Sequence, residues 1–429
     1  MYEFFKGSEF FNFELTRILS TSPFGGCDIA EFLDAVGAIK KHDAQSWQDA
    51  WHAQAVKAEQ RGQEAAAAGH RILARDTFLR ATNYFRASQY MMFDDSASLQ
   101  VLERSVQNFE RAMKIGQIPV EHLEIPYQGH KLPGFLFLPE PENRLAGKTP
   151  VLVCTGGADS TKEELYFLLG ASGPALGYAV LIFDGPGQGI SILRDQTVQR
   201  SDWEIVIKAV LDYTVSFASS HSDLRLDTQR IAITGASMGG YYALRGAADP
   251  RIKACVSIDA FYDLWDLVLD RMPKSLMNAW TAGWIPDGFV DAMTALQGRF
   301  QFQSRWEITT MIKMLGIERP TQLLRRMRTF TFRLAGDDGK QPDYLHAITC
   351  PVLVSGAAHS LYFKPELAAG KIMQCLKNVD EGNKELWIAK EPADGGLQAK
   401  VGAWRVMQQR MFVFLDRHFE IEREKLSVE

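Results

Sequence analysis

Nothing in the spacing of cysteine or histidine fits a metal site or a disulfide framework. The five cysteines, Cys27, Cys154, Cys255, Cys350 and Cys375, are scattered, never form a CxxC pair, and in three cases lie in or beside apolar, strand-like runs. Thiols so placed read as buried core residues rather than redox or metal groups. The nine histidines show no HExxH or HxH spacing, so neither a metal nor any other cofactor is expected. Long apolar runs are missing too. No window reaches the roughly eighteen uninterrupted apolar residues that span a bilayer, and the opening MYEFFKGSEFF has no basic leader ahead of an apolar stretch. Basic residues gather only in short pairs such as Lys40-Lys41 and Arg325-Arg326, within a net charge of −5, which argues against nucleic acid or an anionic membrane as partner. Together these absences predict a soluble, cytosolic protein whose partner is a small neutral or apolar molecule.

What is present is apolar surface in quantity. With 429 residues, 46% of them hydrophobic, the chain can bury a large core and a second unit besides. Residues 1–118 contain almost no β-run and read as a helical N-terminal lid domain, with Ser46 as candidate N-cap of a long helix. Phe78, Ala81, Phe85 and Met92 fall on one side of the next helical segment, and Leu102, Phe109 and Met113 recur at about seven before a stop at Gly116; both stripes read as packing faces.

From residue 119 the pattern alternates. HLEIPYQGHKLPGFLFLPE reads as an antiparallel hairpin, and TPVLVCTGG (149–157), YAVLIFDGPGQG (178–189), RIAITGAS (230–237) and IKACVSIDA (252–260) read as strands covered on both faces. CPVLVSGAA and KELWIAKE supply two more, and a helix over about 401–419 closes the chain. This is an α/β class domain, residues 119–429, with a doubly wound, mostly parallel sheet and an antiparallel edge. A helical insertion at about 261–345 reads as a cap, rich in aromatics that include Trp265, Trp280, Trp284, Phe289, Phe300, Phe302 and Trp306. That richness points to a bulky apolar or aromatic carbonyl ligand.

The chemistry-bearing segment is Gly235-Ala236-Ser237-Met238-Gly239, set between the β-run IAIT and the helical YYALRGAAD. Strand, sharp turn and helix in that order hold a serine hydroxyl exposed above the sheet, the nucleophile elbow of the α/β-hydrolase fold. A carbonyl attacked there builds charge on its oxygen, which two backbone N–H groups must meet. Met238 should give one; Gly157 or Ala158, in the loop after VLVCT, should give the other.

Three segments, Gly156-Gly157-Ala158-Asp159-Ser160-Thr161-Lys162-Glu163-Glu164, Phe183-Asp184-Gly185-Pro186-Gly187-Gln188-Gly189 and Gly235-Ala236-Ser237-Met238-Gly239-Gly240, resemble the 2,6-dihydroxypseudooxynicotine hydrolase family and its fungal relatives, among them the polyketide-shortening hydrolases of melanin pathways. The resemblance runs the whole length of the chain. It implies cofactor-free cleavage of a carbon–carbon or ester bond next to a carbonyl, often in a homodimer, within fungal-type secondary metabolism. It also marks Asp159 as an assisting acid, against the alternative that Asp159 caps the helix beginning at Ser160 or Thr161.

The chain departs from its relatives at two positions. Where the fold places the acid, after Pro351-Val352-Leu353-Val354-Ser355-Gly356-Ala357-Ala358, it carries His359, and where relatives read Gly-Ala-His-Cys-Gln-Val-Gly it reads Gly396-Leu397-Gln398-Ala399-Lys400-Val401-Gly402. Gln398 stands in the histidine's place and cannot take a proton. Three roles stay open for His359: a dyad with Ser237, polarisation of a substrate carbonyl, or an idle replacement. Asp337 and Asp338 offer a substitute acid or merely a solvated turn, and Glu204 reads as a helix-face charge. The exchanges also leave open a non-hydrolytic reaction, in which the oxyanion hole stabilises an enolate during cyclisation, condensation or elimination.

Overall fold

The computed structural model describes residues 1–334 and 343–427. Helices α1 (Glu9–Leu19), α2 (Ile29–Ala38), α3 (Ala44–Ala67), α4 (Arg71–Gln89) and α5 (Asp95–Gly116) precede the first strand. The N-cap of α3 is Asp43, whose carboxylate accepts the N–H groups of Gln45 and Ser46. Ser46, expected as that cap, lies inside the first turn with its hydroxyl accepting the Lys40 N–H; Asp43 outcompetes it because a carboxylate is the stronger acceptor. Trp47, Trp51, Tyr84 and Phe85 form the centre of this unit's core.

Strands β1 (Val120–Tyr127), β2 (His130–Phe137), β3 (Thr149–Thr155), β4 (Ala179–Phe183), β5 (Leu226–Ala236), β6 (Ile252–Ile258), β7 (Val352–Ala357) and β8 (Lys384–Ala389) build one eight-stranded sheet. Their order is β1-β2-β4-β3-β5-β6-β7-β8. The β1–β2 hairpin turns on Gln128 and Gly129, both at positive φ, as a two-residue loop matched to strand twist requires. β2 also pairs antiparallel with β4, and every pairing from β4 to β8 is parallel. β3 and β4 are buried at every residue because helices α6 (Lys162–Leu165), α7 (Gly189–Asp195), α8 (Glu204–Ser220), α9 (Met238–Gly246), α15 (Lys371–Cys375) and α16 (Trp404–His418) accompany the sheet. The chain runs from β3 outward to β4 and returns to β5 on the other side. The crevice at the carboxyl ends of β3 and β5 is therefore the switch point where such sheets bind ligands.

Between β6 and β7 lie α10 (Trp265–Arg271), α11 (Lys274–Thr281), α12 (Asp287–Phe300), α13 (Phe302–Met314) and α14 (Pro320–Met327). Of the aromatics noted there, Trp284, Phe289 and Phe300 are exposed. Trp306 and Phe302 instead pack into the core of the N-terminal unit, where the Trp306 indole donates to the Tyr90 carbonyl at 3.0 Å. Helix α1 bridges to the far end of the fold: Phe13 packs on Leu397 and Val401, and the Gly402 N–H donates to the Ser20 hydroxyl at 2.7 Å. All five cysteines are buried and unpaired. Among the described residues no helix is long and apolar enough to cross a membrane.

Candidate active site

Ser237 sits at φ 57°, ψ −121° at the junction of β5 and α9, a region where a non-glycine residue costs about 1–3 kcal/mol. Close packing enforces it. Its N–H donates to the Ile258 carbonyl at 2.8 Å. A Cβ at Gly235 would stand 2.3 Å from the Gly239 carbonyl oxygen, and one at Gly239 would stand 2.6 Å from that of Thr155, so only glycine fits at either place. Among the described residues the Ser237 hydroxyl has no hydrogen-bond partner. Met238 opens α9, and as the first residue of a helix its N–H lacks an intrahelical acceptor and lies at the positive end of the dipole.

The loop after β3 supplies the facing wall. Gln188, from the Gly-Pro-Gly-Gln-Gly segment, donates to the carbonyls of Gly156 and Gly157 at 2.9 and 2.6 Å, and Gln199 holds that of Ala158 at 2.7 Å. The Gly157 N–H is given to the Ser160 hydroxyl at 3.0 Å. Of the two expected donors, Ala158 is thus the one whose N–H has no acceptor among the described residues.

A cavity of about 290 Å³ opens over the elbow, and Ser237, Met238, Gly157, Ala158, Asp159 and Gln398 all line it. His359 does not. Its backbone bridges to Leu397 and its N–H donates to the Gly396 carbonyl at 2.8 Å, which leaves the imidazole exposed and off the cavity wall. The structure therefore does not bring His359 to Ser237. The next residue turns inward: the Ser360 hydroxyl donates to Gln398 Oε1 at 2.5 Å, while Gln398 Nε2 donates to the Asp259 carbonyl at 2.9 Å. Both ends of the amide are committed. Of the aromatics expected from the insertion, Trp306 is the one that lines the cavity; Phe13, Phe261, Tyr362, Phe363 and Trp404, from outside the helices of the insertion, make the aromatic wall.

Two buried charge clusters border the site. Behind Gln398, Lys400 Nζ lies 2.8 Å from Asp259 Oδ1 and donates to the Gly356 carbonyl at 3.0 Å, while Ser355 donates to the same carboxylate oxygen at 2.8 Å. Burial pushes the Asp259 carboxyl up and the Lys400 ammonium down, and their mutual attraction only partly offsets it. Asp259, Ala399 and Lys400 all stand at positive φ. In the second cluster Arg17, from α1, makes a paired contact to Glu164, Nε–Oε1 2.6 Å and Nη2–Oε2 2.5 Å, and reaches Asp159 at 2.9 Å. Burial opposes charge here also, yet the guanidinium wins, and both carboxylates are held below their usual range. Asp159 does not cap a helix; Thr161 does so for α6 through the Glu164 N–H.

Glu14, one turn before Arg17, has only a 3.4 Å contact to the guanidinium and a 3.0 Å hydrogen bond from the Tyr90 hydroxyl. It is 3% exposed and lines the cavity. Burial, set against Arg17 and reinforced by the Asp159 charge, raises its carboxyl to about 7. Glu14, Arg17, Ser360, Asp259 and Lys400 carry no motif, so the sequence offered no signal for them. Glu204 forms a paired contact with Arg245 at 2.6 and 2.7 Å on α8, a structural role. Asp337 and Asp338 lie outside the described residues.

Comparison with known proteins places this geometry. A family model described as esterase FrsA-like matches residues 18–329. The α/β hydrolase pydG of Acremonium sp is 46% identical, across 98% of this chain and 99% of its own. The α/β hydrolase gkaG of Penicillium citrinum gives the same three figures, 46%, 98% and 99%, and the hydrolyase poxO of Penicillium oxalicum is 45% identical across 99% of this chain and 100% of its own. Among solved structures, the crystal structure of 2,6-dihydroxy-pseudo-oxynicotine hydrolase shares the fold, with a TM-score of 0.69 over 93% of this chain and 95% of that one at 21% identity. With its elbow, switch-point cavity and full-length match to fungal relatives, the chain belongs to the FrsA-like esterase family and is an enzyme of the α/β-hydrolase fold.

Proposed function

We propose that this enzyme acts in the cytosol on a polyketide-like carbonyl compound of fungal-type secondary metabolism, held with its carbonyl oxygen toward the N–H groups of Met238 and Ala158 and its carbonyl carbon over Ser237. The observation that carries the reading is the meeting of the strained Ser237, these two unpaired donors and an apolar cavity in one place. Preorganised N–H groups aimed at a developing oxyanion are worth about 3–4 kcal/mol each in the barrier. The hydrolase names of the relatives favour cleavage of the C–C or ester bond next to that carbonyl. A second reading, enolate stabilisation during cyclisation, condensation or elimination, is favoured by a specific feature: Gln398 is locked by Ser360 and Asp259, His359 faces outward, and among the described residues no histidine lines the cavity with Ser237.

Product mass separates the two. Incubated with a β-dicarbonyl polyketide intermediate, the purified enzyme gives products that together have gained the mass of water if it hydrolyses, and no such gain if it condenses. Ser237→Ala abolishes turnover in the first case and leaves a substantial fraction in the second. A protein that leaves the intermediate unchanged overturns both readings.

A further inference from the structure

We propose that Glu14 is a catalytic proton-transfer residue of this site, delivered by the first helix of the chain in place of the missing histidine. The proposal rests on the reading of the cavity as a carbonyl-binding site and deepens it.

Two buried carboxyls, Glu14 and Glu164, and the partly buried Asp159 surround one guanidinium, and geometry sorts them. Glu164 takes two in-plane N–H groups of Arg17 and Asp159 takes a third, at 2.5–2.9 Å. Glu14 is left with the 3.4 Å contact. The second cation nearby, Arg86 on α4, stands 3.4 Å from Glu164 and spends two other N–H groups on Asn83. The groups facing Glu14 are therefore Arg17 on its own helix, Arg86 on α4 with Tyr90 at that helix's end, Asp159 after β3, Glu164 on α6 and Tyr362 after β7. Two cations against three carboxyls balance only when one carboxyl is protonated, and the least paired is Glu14. Its one good hydrogen bond comes from the Tyr90 hydroxyl to Oε1, which leaves Oε2 at the weak Arg17 contact on a cavity that Ser237 and Met238 share. A carboxyl that changes state near neutrality can both take and return a proton at working pH.

The step balances without a cofactor. The C–H bond between two carbonyls breaks, its electron pair becomes the enolate, the negative charge rests on the oxygen facing Ala158 and Met238, and the proton goes to Glu14. Return of that proton to the oxygen of an attacked carbonyl, or to carbon, restores the carboxylate.

The test uses N-phenyl-3-oxobutanamide as probe and follows, by proton NMR in D2O, deuterium entering the methylene between its carbonyls above the buffer background. In the wild-type protein the catalysed rate should rise through a midpoint near 7 as Glu14 ionises. Glu14→Gln should lower it about a hundredfold with probe affinity unchanged within a few-fold. Tyr90→Phe removes the donor to Oε1 and should move the midpoint to higher pH, which keeps the test open even where Glu14→Gln fails to fold. Catalysed exchange retained in a folded Glu14→Gln, or a midpoint unmoved in Tyr90→Phe, overturns the role of Glu14 and leaves the carbonyl reading standing. A wild-type protein that does not accelerate exchange overturns the carbonyl reading and this proposal with it.

Discussion

Around Arg17 a planar cation keeps two carboxylates ionised, the buried Glu164 and the partly buried Asp159; around Lys400 a point charge and its partner Asp259 are both driven by burial toward their neutral forms. The Arg17 cluster lines the cavity itself, and the Lys400 cluster sits behind Gln398, which lines it too. The difference lies in the shape of the cation. A guanidinium presents several N–H groups in one plane and satisfies two carboxylates at once, whereas an ammonium meets one oxygen and leaves the rest of the carboxylate to others. Here that other is Ser355 on the same Oδ1, and Asp259 Oδ2 has no partner. The guanidinium side keeps a third carboxyl in reserve, able to change its charge beside the substrate; the ammonium side is closed on itself and serves to hold Gln398.

The largest expected effect is on stability when the guanidinium goes. Arg17→Met takes the paired cation from the buried Glu164 and the partly buried Asp159 and should cost about 3–5 kcal/mol, read from urea unfolding at pH 7. A loss no larger than that for Lys400 would erase the contrast between the clusters.

Next comes pH. The Glu14 proton is held more tightly in the folded chain, with the carboxyl moved from 4.5 to about 7. The stability it contributes is fully present below 4.5 and lost as pH rises through 7. An amide in place of this carboxyl does not titrate, so Glu14→Gln should match the wild type near pH 4.5 and exceed it by about 3 kcal/mol at pH 8. Parallel pH-stability curves for the two proteins would show that Glu14 carries no such shift.

A smaller loss is expected on the other side. Lys400→Met leaves Asp259 free to take a proton and the Gly356 carbonyl unpaired, about 1–3 kcal/mol, and Asp259→Asn added to it should recover part of that loss.

The smallest effect tests the base position itself. Because Ser360 is the residue that touches Gln398, Gln398→His combined with Ser360→Asp should hydrolyse a short p-nitrophenyl ester at least about tenfold faster than either single change, roughly 1.4 kcal/mol in the barrier. Gln398→His with His359→Asp should gain less, since residue 359 faces solvent. Equal rates for the two pairs would return the acid position to 359.

The sheet was legible in the sequence because strands covered on both faces write unbroken apolar runs, and the elbow because its glycines are forced by 2.3–2.6 Å approaches that no side chain survives. Gln398 was singled out through relatives that carry a histidine in its place and the loop after β3 through its glycines, and both line the cavity. His359 was misplaced by one residue of alternation, since backbone direction after β7 turns Ser360 rather than His359 inward. The Arg17 cluster was illegible. EFFNFELTRIL reads as an apolar helix, and nothing local reveals that its Arg17 meets Asp159 and Glu164 more than 140 residues onward.

A longer separation bears on the order in which the molecule comes into being. Helix α1 leaves the ribosome well ahead of the sheet, and Phe10, Phe11, Leu15 and Ile18 find their core within the N-terminal unit, but Phe13 packs on Leu397 and Val401, which follow every strand. Glu14 and Arg17 meet Tyr90, Asp159 and Glu164 early, whereas Phe13 has no seat until the stretch after β8 is made. The cavity closes only when that stretch reaches α1, so a polypeptide halted after β6 has an elbow but lacks the wall that Tyr362, Phe363, Gln398 and Trp404 supply.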